Sequence, residues 1–463
     1  MQQNWIKYRL PICILSLLLA SCGITKRYEP PAVPAEETFR GAVSSDTNSI
    51  GVMPWSEIFK DSQLQSLIEQ GIRNNLDLQM AFTRVQQAQA YYAQSGAALW
   101  PSLNGNASVS ESKLSEAQGF GIRTRATQFQ IGVSSSWEVD IWGRLRSNRR
   151  ANLAALLQSE AAVRTVQTRL VASIATLYYQ LLALDQQLLI TQQTIHYWDT
   201  TVLTMRALKE AARVTEAAVV QSEAQRYGAQ VTIPDLKQAT RETENALSIL
   251  LGVPAKEISR SSLDQQQVSD DLSTGLPAQL LANRPDVQEA ELNFRNAFEL
   301  TNVARTQFYP SLTITGSAGF SSLSFSDLFD PSSVVANIAA GITQPIFNQR
   351  INRTRLEVAR AQQQESLLNF RSRLLVAGQE VSDALSLYET AVEKMEIRAS
   401  QITALENSVI YSHELLQHGF ANYTEVINAR QFLLQAELGR VNDKVQRLQA
   451  VVNLYRALGG GWR

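Results

Sequence analysis

The chain contains an internal repeat of about 200 residues. The pentapeptide Leu-Trp-Pro-Ser-Leu at 99–103 returns as Phe-Tyr-Pro-Ser-Leu at 308–312. Upstream pairs keep the same spacing without a gap: Asp77 with Asp286, Gln79 with Gln288, Ala81 with Ala290, and Ala88 with Ala297. Solenoid repeats span about 20–50 residues, so this unit is too long to be one. It predicts a duplicated half-domain that is present twice in the chain.

Each copy contains two segments in which apolar and polar residues alternate, the pattern of a half-buried strand. These segments are 102–111 and 127–139 in the first copy, and 311–320 and 334–345 in the second. Alternation alone does not distinguish a strand facing lipid from one facing a soluble core. The pattern therefore predicts one β-hairpin per copy, either in a membrane or in a soluble sandwich.

A very long helical segment follows each hairpin. Residues 144–227 contain neither Gly nor Pro, and apolar residues recur there at intervals of three and four, as in a coiled coil. No Pro occurs after position 347. We expect each long helix to turn back on itself, near 212–218 in the first copy and near 417–422 in the second.

The N-terminus has the features of a lipoprotein export signal. Lys7 and Arg9 precede an apolar run at 10–19, and Leu-Ala-Ser-Cys follows at 19–22. Small residues before a cysteine are typical of a lipobox, in which Cys22 is lipidated and becomes the first residue of the mature chain. The alternative is an ordinary signal peptide in which the cysteine occurs by chance.

The chain thus divides into five predicted segments. They are a signal peptide (1–21), a lipid-anchored linker (22–60), a first repeat (61–254, with its β-hairpin at 102–139), a second linker (255–275) and a second repeat (276–463, with its β-hairpin at 311–345).

Composition and motifs exclude several classes of function. The 42 basic residues balance the 43 acidic ones, so nucleic acid is not an expected partner. No phosphate-binding loop, GxSxG, CxxC or HExxH motif occurs, and the three histidines do not form a metal-binding pattern. We expect no catalytic residues, no metal and no cofactor, and therefore no enzyme.

If the mature chain crosses a bilayer, it must do so with strands. No segment after the signal has 18 consecutive apolar residues, as a transmembrane helix requires. About eight strands form the smallest membrane barrel, and open sheet edges are not tolerated in lipid. Four strands per chain therefore require two or three chains to close a barrel.

Four motifs resemble the outer membrane factor family of TolC-like export ducts, in its OprM-like lipoprotein branch. They are Leu-Ala-Asn-Arg-Pro-Asp-Val at 281–287, Tyr-Pro-Ser-Leu at 309–312, Trp-Glu-Val-Asp-Ile-Trp-Gly-Arg at 137–144, and Gln-Pro-Ile-Phe-Asn at 344–348. With the lipobox and the repeat, the resemblance covers essentially the whole mature chain.

The resemblance implies an α+β membrane protein. Three chains form a twelve-stranded transmembrane β-barrel in the outer membrane, continuous with a long periplasmic α-helical barrel. Such a homotrimer conducts small molecules such as drugs passively outward. It receives them from a periplasmic adaptor and an inner-membrane pump, expected to be of the resistance-nodulation-division type. The alternative is a structural coiled-coil surface lipoprotein, but the strand–loop–strand insertion in both copies counts against it.

The resemblance also assigns roles to residues near the helical turns. Glu425 matches the first acidic position of the family's periplasmic gate, and Asn428 replaces the second. A solvated glutamate on a helix face would produce the same pattern. The turns themselves are expected to contact the adaptor through Ala212, Val214, Thr215, Gly419, Phe420 and Ala421. Because the first turn lacks a glycine, we expect any gate to lie mainly on the second repeat.

Overall fold

The computed structural model describes residues 24–31, 49–113, 125–267 and 283–463. The predicted signal peptide, Cys22 and parts of both linkers lie outside these ranges. The described residues form two compact units. The first is drawn from Met1–Pro31, Arg84–Ser159 and Ala290–Phe370, and the second from Ala32–Thr83, Glu160–Glu289 and Arg371–Arg463.

From the helix that precedes each β-hairpin onward, the two repeats contain the same elements in the same order. The first comprises α1 (Ser62–Asn74), α2 (Leu76–Ala97), β1 (Ser102–Lys113), β2 (Arg125–Val139), α3 (Arg144–Glu210) and α4 (Glu216–Leu250). The second comprises α5 (Pro285–Thr306), β3 (Ser311–Ser322), β4 (Val334–Thr343), α6 (Ile351–Gln417) and α7 (Tyr423–Ala457). Short helical turns lie at Ile50–Val52, Trp55–Ile58, Leu263–Gln265 and Pro331–Ser333.

The helix lengths preserve the duplication. The helices α3 and α6 each have 67 residues, and α4 and α7 each have 35. The Asp61 carboxylate caps α1 by accepting from the Gln63 N–H at 2.9 Å. The strand β4 ends two residues before the predicted boundary at 345, since Pro345 has no N–H to donate to a ladder. No helix in the described ranges has both the length and the hydropathy needed to span a bilayer.

The four strands form one antiparallel sheet in the first unit, in the order β1-β2-β3-β4. Gly132 lies opposite Gly319 in the pairing of β2 with β3, which joins the two hairpins. The strands β1 and β4 are the edges of the sheet, and every residue of both is exposed. The backbone of each edge is therefore available to pair with another strand.

The sheet has one apolar and one polar face, because residues that are opposite in the register project to the same side. The apolar face carries Leu103, Val109, Ile131, Val133, Trp137, Leu312, Ile314, Phe320, Val334, Ile338 and Ile342. The polar face carries Asn104, Asn106, Ser108, Gln128, Gln130, Ser134, Thr313, Thr315, Ser317 and Asn337. Several apolar side chains are largely exposed, with 74% for Leu103 and 83% for Ile338.

The second unit contains the C-terminal ends of α4 and α7. Both helices end in Leu-Gly, and both glycines have positive φ: +65° for Gly252 and +89° for Gly459. The N–H of the residue after each glycine donates back into the helix, from Val253 to Ser248 at 3.0 Å and from Gly460 to Tyr455 at 2.9 Å. This is the hydrogen-bond pattern of a glycine-terminated helix.

Candidate functional site

The turn between α6 and α7 is built around a glycine. Gly419 has φ +79°, a left-handed conformation that costs other L-residues about 1–2 kcal/mol. Beyond it, the Phe420 N–H donates to the Leu415 carbonyl at 2.9 Å. The Asn422 side chain then accepts from two backbone N–H groups in the first turn of α7. The sequence Gly-Phe-Ala-Asn therefore ends one helix and begins the next.

The turn between α3 and α4 has the same backbone conformation without a glycine. Ala212 takes the left-handed position, with φ +58°, and the Arg213 N–H donates to the Leu208 carbonyl at 2.8 Å. Ala212 precedes Gly419 by the same 207 residues that separate the starts of α3 and α6. The first turn therefore lacks a glycine, and Ala212 takes the left-handed backbone conformation that Gly419 has in the second turn.

Ala212→Gly should stabilise the first turn, because glycine adopts φ +58° without strain. Allowing for the added freedom of the unfolded chain, we expect a gain of about 0.5–1 kcal/mol. Hydrogen exchange of the turn amides should slow accordingly. Ala211→Gly is the matched control: it lies one residue earlier, without positive φ, and should speed exchange. Equal effects of the two substitutions would contradict this account.

Four of the six predicted adaptor-contacting residues line a common cavity. Val214, Thr215, Gly419 and Ala421 line one open cavity of about 840 Å³ between the two turns, together with side chains of α3 and α6. Ala212 and Phe420 do not line it. The Phe420 side chain is 82% exposed, so the second turn presents a large apolar group to solvent.

The two predicted gate residues share a surface on α7. Glu425 and Asn428 are exposed and line a second cavity of about 590 Å³, which also includes Tyr411 and Phe432. In the described part of the chain, Glu425 forms no salt bridge. Its carboxylate is therefore available for electrostatic interactions with solutes or with other copies of the chain.

The sequence did not reveal how the two helical hairpins are held. In the first hairpin, salt bridges connect α3 to α4. They join Arg206 to Glu223, Asp199 to Arg226 and Lys209 to Glu216. The second hairpin also contacts the first, where the Arg430 guanidinium of α7 stacks over the Tyr197 ring of α3 at 3.6 Å. Ile427 and Trp198 are buried in the apolar cluster that includes Tyr197. Stacking and apolar packing therefore join the two hairpins in this region.

A buried carboxylate joins α6 to α7 further from the turn. Asp443 is 2% exposed and accepts from Arg398 at 2.9 Å and Lys394 at 3.1 Å. Closer to the turn, burial raises the pKa of the Glu437 carboxyl, while the Arg440 and Arg430 guanidinium groups oppose this shift. An aspartate within an apolar helical stripe was the only sequence signal for these contacts.

Both halves of the chain match a known sequence family. The family model described as outer membrane efflux protein aligns with residues 67–253 and again with residues 276–460. The chain belongs to the outer membrane efflux protein family. The two separate alignments agree with the internal repeat.

Individual members of the family are similar along nearly the whole chain. The cation efflux system protein CusC of Escherichia coli is 31% identical over 463 residues, covering 98% of both chains. The toluene efflux pump outer membrane protein TtgC of Pseudomonas putida is 29% identical over 468 residues, covering 98% of this chain and 96% of TtgC. The structure of the open MtrE outer membrane channel of Neisseria gonorrhoeae aligns with a TM-score of 0.86 and 26% identity, covering 96% of this chain and 99% of MtrE.

Family membership confirms the main functional prediction. This outer membrane efflux protein is a channel of the Gram-negative outer membrane and not an enzyme. It is mostly helical and internally duplicated, as the repeat in the sequence predicts.

Proposed function

We propose that this outer membrane efflux protein is the passive exit duct of a tripartite efflux system for small molecules such as drugs. The observation that carries the proposal is the two-faced sheet. Its exposed apolar face suits contact with lipid, and its polar face suits a water-filled interior. A soluble sandwich would instead bury the apolar face.

The two unpaired edges of the sheet support a homotrimer. Within the described chain, β1 and β4 each have a strand partner on one side only, and unpaired backbone groups in lipid are costly. Pairing of β1 with β4 of another copy satisfies both edges. Three copies then form a barrel of twelve strands, above the minimum of about eight. The long helices of the three copies form the periplasmic helical barrel of the duct in this proposal.

Neighbouring cysteines on β4 test this orientation. Asn337 and Ile338 project to opposite faces, and both are exposed in the single chain. In cells, a membrane-impermeant maleimide should label Asn337→Cys, which faces the lumen, and spare Ile338→Cys, which faces lipid. Equal labelling of the two variants in the assembled protein would refute the membrane orientation. The mature chain offers no competing thiol if Cys22 carries lipid.

We further propose that Glu425 and Asn428 form the periplasmic gate. Around the axis of a trimer, Glu425 supplies three carboxylates, and such rings favour cations. Glu425→Ala should raise single-channel conductance and weaken block by a trivalent cation such as hexamminecobalt. Glu414→Ala removes a charge at the end of α6 outside this cavity and is the matched control. If Glu425→Ala changes neither the single-channel conductance nor the block by the trivalent cation, the assignment of Glu425 to the gate is wrong.

The turns are the proposed contact with the periplasmic adaptor, which connects the duct to an inner-membrane pump of resistance-nodulation-division type. The exposed Phe420 side chain and the cavity between the turns provide apolar surface for this contact. Site-specific photo-crosslinking from position 420 should capture the adaptor, whereas an exposed position far from the turns, such as 355, should not.

Lipidation of Cys22 and the segment boundaries complete the proposal. Cys22 anchors the mature chain to outer membrane lipid, and residues 22–60 connect it to the first repeat at 61–254. Residues 255–275 link this repeat to the second at 276–463. Radiolabelled palmitate should enter the wild-type protein and not Cys22→Ser.

A further inference from the structure

A small, positively charged cavity lies in the second unit, away from both helical turns. It has a volume of about 60 Å³ and is bordered by α3, the start of α5, α6 and α7. A cavity needs about 10–15 Å³ to hold one water molecule. This one therefore has room for a monatomic ion with accompanying water and none for a bulky organic ligand.

Four guanidinium groups line the cavity, and two of them are already paired. Arg284 contacts Asp286 and Glu380, each at 2.7 Å, and Arg456 contacts Glu380 at 3.3 Å. These contacts occupy both carboxylates of the lining. The other two guanidinium groups therefore decide the charge of the cavity.

Those two groups belong to Arg169 of α3 and Arg373 of α6. Within the described residues, neither makes a hydrogen bond or a salt bridge to a carboxylate. Glu289 is the third acid of the region and interacts with both only at longer range. The lining itself holds four guanidinium groups and two carboxylates, and the exposed side chains of Arg169 and Arg373 supply its excess of positive charge.

A buried hydroxyl without a partner points to a ligand. Thr168 is 6% exposed, lines the cavity, and its Oγ1 is buried with no hydrogen-bond partner. Other threonines of α3, such as Thr165 and Thr191, donate to the carbonyl four residues earlier. A buried hydroxyl without a partner costs about 1–3 kcal/mol, so such groups are normally satisfied. The N-terminus of α5 at Pro285 adds the positive end of a helix dipole.

We propose that this cavity binds a small inorganic anion of halide size. The Thr168 hydroxyl donates to the anion, and Arg169 and Arg373 supply the compensating charge. The anion thereby bridges α3, α6 and the start of α5 within each chain. The proposal is independent of the transport function and of the gate at Glu425.

Bromide tests the site because it can be located by anomalous scattering. Crystals of the full-length protein grown in sodium bromide should show a bromide peak beside Thr168 Oγ1. In detergent, bromide should raise the thermal midpoint of the wild-type protein by about 2 °C over sodium gluconate at equal ionic strength.

Two variants and one control separate binding from general salt effects. Thr168→Val should fold normally, since the hydroxyl has no protein partner, and it should lose the bromide-dependent rise. Arg373→Gln should lose it too. Arg371→Gln, on the same helix but outside the cavity lining, should keep it. The proposal is overturned if the cavity holds only water, or if wild type and Thr168→Val respond equally to bromide.

Discussion

Replacing Gly252 or Gly459 by alanine should destabilise the protein by about 2–5 kcal/mol, the sum of backbone strain and overlap. Both residues have positive φ. In addition, a Cβ at Gly252 would lie 2.3 Å from the Asn74 carbonyl oxygen, and one at Gly459 would lie 2.4 Å from that of Asn283. These contacts are with backbone, which cannot move aside as a flexible side chain can. The midpoint of thermal helix loss in detergent measures the effect.

The variant Gly419→Ala separates backbone strain from steric overlap. Gly419 also has positive φ, but a Cβ there would meet nothing within 4 Å. We expect this variant to lose about 1–2 kcal/mol from backbone strain alone. If Gly419→Ala lowers the midpoint of thermal helix loss as much as Gly252→Ala does, steric overlap at the Leu-Gly ends is not the main cause of the destabilisation.

Arg284→Met should be similarly destabilising, by about 3–5 kcal/mol. The Arg284 side chain is 6% exposed and contacts Asp286, Glu380 and the Ala457 carbonyl. Methionine fills much of the same volume but leaves Asp286 without its cation and Glu380 with Arg456 alone. Arg371→Met, at an exposed arginine of α6, is the control and should be nearly neutral.

The pH dependence of the stability difference between wild type and Arg284→Met provides a second check. Burial alone would raise the pKa of Asp286, but its hydrogen bond and ion pair with Arg284 outweigh burial and hold this pKa below the ordinary aspartate value. The stabilisation is therefore present above the pKa of the unfolded chain and is lost as pH falls through the folded-state pKa. The gap between wild type and Arg284→Met should narrow below about pH 4. A constant gap from pH 7 to pH 3 would exclude this ion pair as its source.

Local patterns predicted most of the fold. Alternation located the four strands to within three residues, and the lack of Gly and Pro at 144–227 and of Pro after 347 located both 67-residue helices.

Long-range contacts could not be predicted in the same way. The stack of Arg430 on Tyr197 joins residues 233 positions apart, and no spacing rule connects them. The left-handed Ala212 was missed because composition indicates such a conformation only when glycine or asparagine is present. The cavity beside Thr168 is formed by four separate helices, so none of its parts forms a sequence motif.

Conductance of the purified full-length protein in planar lipid bilayers tests the central claim most directly. If the protein is a passive exit duct, it should insert and produce discrete, ATP-independent current steps. Glu425→Ala should produce larger steps than wild type under the same conditions. Insertion of the folded protein without any current, in wild type and in Glu425→Ala alike, would contradict the assignment as a duct.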